Sequence, residues 1–388
     1  MKIALFLTFF LLIFGSSGYY LYVRLTQAFA GSFVGSRWFL VLYILLMFSF
    51  IIGKSIEHFH IGFLSHFFVA LGSVVLGFFF YSLLAVLLID LFRLINWLIP
   101  FFPASITANP VRAAHYTGIA ALVLVSLLLI KGYWNAYSPR VTELEIEISK
   151  PGARFDTLNI VAVSDIHLGT MVNESKLDRL IARVNSLHPD VMIIAGDNID
   201  NNIKVVQHDK LLERFQNIES RYGIYSCPGN HEYISGAQHY FDYFEQNGIH
   251  ILKDSVVELP AGLYLLGRDD ISAHRHSNQK RKSLHELTAG LDFNKALIVL
   301  DHQPYKLEQT AALSIDLQFS GHTHNGQIWP LNYITHSLFE KSWGYLKKGN
   351  THFYISAGFG TAVIPMRLGS HSEIVHIKLV NRAKKQNQ

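Results

Sequence analysis

The sequence predicts an α/β domain carried behind a bundle of about four membrane-spanning helices. Three observations predict it. Four long apolar stretches crowd the first third of the chain, and from about residue 158 short apolar runs alternate with segments of helical spacing. Polar blocks built from Asp, Asn and His then recur at the C-terminal ends of those runs. The boundaries read as 1–135 for the membrane region, 136–157 for a linker with a lead-in strand, 158–380 for the α/β domain and 381–388 for a tail.

The apolar stretches are Ile3 to Val23, Trp38 to Gly53, Phe67 to Ile89 and Ala113 to Ile130. A spanning helix needs about 20 mostly apolar residues, which the first and third supply outright and the others reach with their flanks. A buried helical core is excluded because these runs leave no polar face for water. Tyr19, Tyr20, Tyr22, Trp38, Trp97, Tyr133 and Trp134 cluster at the ends of the runs, as interfacial anchors do. His58, His60 and His66 between the second and third runs have no carboxylate partners, apart from Glu57 beside them, and read as interfacial residues without chemistry. Four spans put both termini on one side. Lys2, Lys54, Lys131 and Arg140 then oppose Arg24, Arg37, Arg93 and Arg112, so the positive-inside count ties. Lys2 ahead of the first run favours a cytoplasmic N-terminus and a cytoplasmic C-terminal half at a bacterial cell membrane. Cleavage near Gly15–Gly18 leaves three spans and the same side for the second half.

Charge narrows the partners. The formal charge of +4 resides entirely in the apolar third, where Lys2, Arg24, Arg37, Lys54, Arg93 and Arg112 face only Glu57 and Asp90. The rest is balanced, so no nucleic-acid partner is expected. The run Gln279-Lys280-Arg281-Lys282 reads as a solvated loop or as a contact for an anionic substrate or lipid. Cys227 is the only cysteine, which rules out an intramolecular disulfide.

After Pro139 the text changes. Val141 to Ile148 alternates apolar and acidic residues as a half-exposed strand does, and Pro151-Gly152 makes a turn. Strands follow at Leu158–Val163, Val191–Ala195, Gly223–Ser226, Ile251–Leu259, Leu263–Leu266, Ala296–Leu300, Leu317–Ser320, Phe353–Ser356 and Ile374–Leu379. Helices are expected over Glu174–Leu187, Asp209–Ile218 and Gln238–Gln246. Early strands alternating with helices indicate α/β packing.

In open α/β sheets ligands sit beyond the C-terminal ends of strands. There the chain places Ser164-Asp165-Ile166-His167, Gly196-Asp197-Asn198-Ile199-Asp200, Gly229-Asn230-His231-Glu232, Asp301-His302 and Gly321-His322-Thr323-His324-Asn325-Gly326. Each block alone is an ordinary strand-to-turn step. Five at successive strand ends meet the needs of a two-metal centre, which requires a shared anionic bridge and a mixed nitrogen and oxygen shell. Imidazole with carboxylate suits Mn, Fe or Zn better than Mg or Ca, and Mn is the first choice.

In order and spacing these blocks resemble the calcineurin-like metallophosphoesterase family, over roughly residues 158 to 380. The resemblance implies a four-layer αββα sandwich. It implies that Asp165, His167 and His324 hold one divalent metal ion, that Asn230, His302 and His322 hold the other, and that Asp197 bridges both. It implies direct attack on phosphorus by a hydroxide shared between the ions, with no covalent enzyme intermediate. His231 is the general acid expected for the leaving oxygen, and Asp200 the residue expected to orient it. Glu232 is expected to be structural.

Within the family, Ser-Asp-Ile-His-Leu-Gly at 164–169, Gly-His-Thr-His-Asn-Gly-Gln at 321–327 and Pro365-Met366-Arg367 are similar to a membrane-associated bacterial branch that includes enzymes acting on UDP-2,3-diacylglucosamine. Asn198 and the Ser370-His371-Ser372-Glu373 approach to the last strand depart from that pattern. For substrate, Arg268, His274, Arg275 and His276 on a long polar loop, and Arg367, are the candidate phosphate contacts. The leading reading is a membrane-anchored phosphodiesterase or pyrophosphatase acting on a lipid-linked phosphate compound, with membrane lipid as its neighbour. The alternatives are a broad phosphomonoesterase or protein phosphatase, and a membrane sensor or transporter whose second half only binds ligand.

Overall fold

The computed structural model describes residues 2–275 and 280–383, with only the backbone for residues 2–10, 237 and 240. The chain divides into two units, Met1–Gly132 and Tyr133–Gln388.

The first unit is helical: α1 (Lys2–Ala28), α2 (Arg37–Phe59), α3 (Phe63–Leu98), the short α4 (Ala104–Thr107) and the start of α5 (Pro110–Tyr137). Among the described residues, α2, α3 and α5 are each long and apolar enough to cross a membrane. The histidine segment is shorter than the sequence suggests, because α2 runs to Phe59 and only residues 60–62 separate it from α3. Small residues let α2 and α3 close on each other. A Cβ on Gly72 would lie 2.2 Å from the Phe50 nitrogen, and one on Gly53 would lie 2.4 Å from the Val69 nitrogen. Such contacts are how helices associate where lipid removes the hydrophobic drive.

Among its described residues the second unit holds twelve strands: β1 (Arg140–Ile148), β2 (Thr157–Val163), β3 (Val191–Ala195), β4 (Ile224–Cys227), β5 (Ile249–Ile251), β6 (Ser255–Leu259), β7 (Leu263–Gly267), β8 (Ala296–Leu300), β9 (Leu317–Ser320), β10 (Gly344–Lys348), β11 (Thr351–Ile355) and β12 (Glu373–Asn381). Its further helices are α6 (Glu174–Asn185), α7 (Ile203–His208), α8 (Asn230–Ile234), α9 (Phe241–Gln246), α10 (Leu284–Thr288), α11 (Leu307–Ala312) and α12 (Leu331–Leu338). The strands form two six-stranded sheets, β1-β12-β2-β3-β4-β5 and β10-β11-β9-β8-β7-β6. Parallel pairing joins β2, β3, β4 and β5 in one sheet and β7, β8, β9 and β11 in the other.

Alternation along each strand builds the layers. Leu158, Ile160 and Ala162 meet Ala296, Ile298 and Leu300 in the core between the sheets. Val161, Val163, Met192 and Ile194 face the other way, onto Leu177, Leu180, Ile181 and Val184 of α6. On the far side Leu266, Leu297 and Val299 pack on Leu284 and Leu287 of α10. Burial on both faces explains why these strands read as unbroken apolar runs. The result is the four-layer αββα sandwich.

Two of the elements that differ from their sequence reading show a local cause. The strand expected over Ile251–Leu259 is two strands, β5 and β6, which belong to different sheets. The chain turns between them at Asp254, which takes a left-handed φ of 46°. The helix expected over Asp209–Ile218 is instead α7 followed by a 3-10 turn at Leu212–Asn217. The Asn202 side chain caps α7 by accepting from the Lys204 N–H, and Lys210 at φ 52° breaks the run.

Candidate metal centre

The loops after β2, β3, β4, β8 and β9 bring the five polar blocks together. Three groups of ligand-type side chains converge: Asp165, His167 and His324; Asp197, His302 and His322; and His167, Asp200 and His231. In the first, His167 Nε2 lies 3.1 Å from His324 Nε2, which is 3.4 Å from Asp165 Oδ1. In the second, Asn230 Oδ1 lies 3.1 Å from His302 Nε2 and 2.9 Å from His322 Nδ1. Asp197 Oδ2 stands between the groups, 3.2 Å from His302 Nε2 and 3.9 Å from His167 Nε2.

The donor chemistry fits divalent cations. His302 Nδ1 faces the Ala195 carbonyl at 2.7 Å, and a carbonyl only accepts, so the ring proton sits on Nδ1. Nε2 then faces Asn230 Oδ1, Asp197 Oδ2 and His322 Nδ1, where it takes either a proton or a cation. Converging acceptors repel unless a positive charge lies among them. Electrostatics agree. Burial raises the Asp197 carboxyl, yet His302, His231 and His167 hold it well below the usual carboxylate range. Burial opposes a charge on His302, but Asp197 drives its imidazole well above the ordinary value. Burial, reinforced by His167 and Arg367, holds His324 well below it. The ligand atoms converge where positive charge is favoured, whether as a proton on His302 or as a bound cation.

The backbone is shaped for this convergence. Asp165, His167, Asp197, His322 and His324 all adopt left-handed φ, between 49° and 71°. That conformation is uncommon for residues with a Cβ and gathers at functional sites. Glycine permits the approach: a Cβ on Gly229 would lie 2.2 Å from Asp197 Oδ1, and one on Gly321 would lie 2.3 Å from Asp165 Oδ2. Buried Glu232 ties the loops by accepting from the N–H groups of Asp197 (3.0 Å), Asn198 (2.7 Å), Ile199 (3.3 Å) and Gly229 (2.7 Å). Asn198 turns away from the ligands and donates to Ser226 Oγ.

His231 is half-buried at the rim, its ring centroid 4.6 Å from that of His167. Its Nδ1 donates to the backbone carbonyl of Asp200. The Asp200 carboxylate does something other than the sequence suggests. Its Oδ1 is closer to His167 Nδ1 (3.6 Å) than to His231 Nδ1 (4.0 Å). Asp200 thus holds His231 through its backbone carbonyl, while its carboxylate lies near both rings.

The arginines correct the sequence reading. Arg367 is fully buried and is not a surface phosphate contact. Its guanidinium donates to the carbonyls of Gly360 and Ala357 at 2.6 and 2.7 Å, and lies 3.1 Å from His324 Nδ1. It locks the His324 ring and the loop beneath it. Arg268 is also buried, its Nη1 donating to Asp301 Oδ2 at 2.9 Å beside His302. Arg281 reaches the same carboxylate. Arg275 is exposed on the turn Ile271–Arg275 with His274, whereas His276 falls outside the described residues. No signal in the sequence separates these arginines; only their packing does. Cys227 is buried, and burial raises its thiol well above the ordinary range, as befits an inert core residue.

Comparison with known proteins places this geometry. The family model "Calcineurin-like phosphoesterase" matches residues 158–326. A "Transmembrane protein with metallophosphoesterase domain" of Danio rerio is 32% identical over 277 residues, covering 67% of this chain and 62% of that protein. The one of Bos taurus is 34% identical over 282 residues, covering 67% and 61%. The chain thus spans about three fifths of the length of these two relatives. An "Uncharacterized metallophosphoesterase" of Campylobacter jejuni is 31% identical over 269 residues, covering 67% and 68%. Among solved structures, a 5'-nucleotidase precursor from Thermus thermophilus aligns with a TM-score of 0.35 at 15% identity, over 58% of this chain and 54% of that one.

Proposed function

The chain belongs to the calcineurin-like phosphoesterase family, and we propose that it hydrolyses a phosphodiester or pyrophosphate bond at a two-metal centre on a membrane surface. The observation that carries this reading is the position of Asp197 Oδ2 between His302 Nε2 and His167 Nε2, with both groups of ligand atoms turned toward it. In this reading Asp165, His167 and His324 hold one ion, Asn230, His302 and His322 the other, and Asp197 both. Divalent ions bound there supply Lewis acidity toward phosphoryl oxygens and lower the pKa of water; Mn is the first choice, with Fe or Zn as alternatives.

The chain's own residues do the rest. His231, fixed through Nδ1 by the Asp200 carbonyl, presents Nε2 to the leaving oxygen and delivers a proton there. The Asp200 carboxylate also lies near His167, and Arg367 holds His324 in place. Glu232 keeps the Asp197 and Gly229 loops in register. Arg275 remains the candidate for substrate phosphate.

A lipid-linked phosphate compound, such as one of the UDP-2,3-diacylglucosamine type, is the proposed substrate, and the cytoplasmic face of a bacterial membrane the proposed location. The apolar helices support this, because anchoring confines enzyme and lipid to one surface. The test is hydrolysis by the purified chain with added Mn²⁺. Bis-p-nitrophenyl phosphate and UDP-2,3-diacylglucosamine should be cleaved in preference to p-nitrophenyl phosphate. A clear preference for the monoester would overturn the diester reading.

A further inference from the structure

Helix α12 exposes more large apolar side chains than a short water-facing helix normally does. Two of its polar residues reach inward, whereas Ser337 is exposed. His336, itself exposed, pairs through Nε2 with buried Asn325 Oδ1 at 2.9 Å, and Asn332 Oδ1 is buried. The large apolar residues point out: Tyr333 is 64% exposed, Ile334 53% and Leu338 66%. No residue of α12 is buried. Trp329 just before it is also exposed. Phe339 just after it stacks on exposed Tyr305, with ring centroids 5.0 Å apart, and its ring lies 6.0 Å from that of His322.

We propose that α12 is an interfacial helix that seats the mouth of the metal centre on the lipid headgroup layer. Three observations select lipid as the occupant. The exposed set mixes Tyr and Trp with Ile and Leu, the composition of a membrane–water interface. A soluble surface rarely exposes so large a contiguous apolar patch without a partner. The chain also carries its own apolar spans, so a bilayer is always within reach. Short amphipathic segments of this kind lie in the interface plane rather than across it.

Position gives the seat its purpose. The inner side of α12 rests on the Gly321–Gly326 loop, which supplies His322 and His324. A phosphoester at headgroup depth would then meet the metal ligands without leaving the bilayer surface. This last step rests on the phosphoesterase reading; the membrane contact does not.

The experiment is oxidative footprinting of the unaltered full chain in bilayers of phosphatidylethanolamine and phosphatidylglycerol. Tyr345, 41% exposed on β10, is the internal comparator. By exposure alone Tyr333 should be oxidised faster than Tyr345. The proposal expects the reverse order in these bilayers. Leu338→Asp should weaken the lipid partition of the helix by about tenfold or more and restore oxidation at Tyr333. Tyr333 oxidised faster than Tyr345 in bilayers would overturn the proposal. Protection that grows with protein concentration at fixed lipid would also overturn it, by pointing to a second copy of the chain. A site-specific probe needs no assumption about either tyrosine. Because Cys227 is buried, a fluorophore on Ile334→Cys should be quenched by brominated lipid and shielded from iodide, whereas one on exposed Arg183→Cys should not. Equal iodide quenching at both positions would sink the idea. No readout here uses hydrolysis, so a failed phosphoesterase assay and a failed membrane contact remain separate results.

Discussion

The two units of this chain sort their side chains by opposite rules. In the first, the buried positions of α2 and α3 are mostly small or polar, among them Ser49, Gly53, Ser65, Gly72, Ser73, Gly77 and Ser82. Large apolar residues such as Leu45, Leu87, Leu91 and Leu124 face outward. In the second, Ile160, Ile193, Ile298 and Phe319 are fully buried between sheets. The difference is one of solvent. Water drives apolar surface inward, whereas lipid is indifferent to it, so close packing decides what goes inside. Helix α12 belongs to the second unit yet turns Tyr333, Ile334 and Leu338 outward as the first unit's helices do, which is why we propose it as a membrane contact.

The largest expected effect breaks the metal centre. Asp197→Asn should lower hydrolysis of bis-p-nitrophenyl phosphate on the order of a thousandfold or more, with loss of bound Mn²⁺, because it removes the bridging charge. Survival of activity with unchanged metal content would show that Asp197 is not the bridge. His231→Gln should lower kcat by roughly 10²- to 10⁴-fold while metal content stays intact. The deficit should shrink as the leaving group improves; a deficit independent of leaving group would remove His231 from its acid role.

Core substitutions sharpen the contrast between units. Ile193→Ala in the inter-sheet core should destabilise the second unit by roughly 2–5 kcal/mol through the cavity it leaves. In the first unit the damaging change is the reverse one. Gly72→Leu, forced against the Phe50 backbone, should cost roughly 1–3 kcal/mol by overpacking. Thermal unfolding of the full chain in detergent reads both; tolerance of Gly72→Leu would mean the helices are not held by backbone contact.

A buried lysine adds a pH-dependent test in the second unit. Lys176 on α6 is 1% exposed, with its ammonium 4.8 Å from the Tyr137 ring centroid and 5.3 Å from that of Phe359. Burial, helped by Arg367, pushes its pKa down to about 7. The unfolded chain then binds more protons than the folded one between about 7 and the ordinary lysine value. This contribution to stability therefore rises with pH across that window and is flat below it. Lys176→Met should stabilise the chain by a few kcal/mol at neutral pH and below. The advantage should fade toward pH 10, as followed by thermal unfolding. A gain that does not change with pH would mean the lysine is not forced to shed its proton.

Much of the fold and of the site is legible in the residues themselves, for identifiable reasons. Strands β2, β3, β8 and β9 stand out because burial on both faces leaves no polar position to interrupt them. The ligand set is readable because each metal-type residue sits within a few positions of a strand end, so local spacing and spatial placement coincide. Where they diverge the sequence is silent. Nothing local tells that Lys253-Asp254 sends the chain from one sheet to the other. Nothing local tells Arg367 or Arg268 from a surface arginine. Their partners, the Ala357 carbonyl and Asp301, lie 10 and 33 residues away. The exposed face of α12 is hidden for a related reason, since an apolar helical stripe normally points inward.

What the sequence alone determined, then, was the identity and order of the metal-type residues and the division into a lipid-suited and a water-suited half, because both are properties of residue type and spacing. Tertiary structure decided which oxygen or nitrogen each of those residues presents. The carbonyl of Asp200 serves His231 while its carboxylate lies near both rings, and Asp197 Oδ2 alone stands between the two groups. Such choices depend on left-handed turns and glycine clearances that bring distant loops within a few ångströms, which no one-dimensional pattern records.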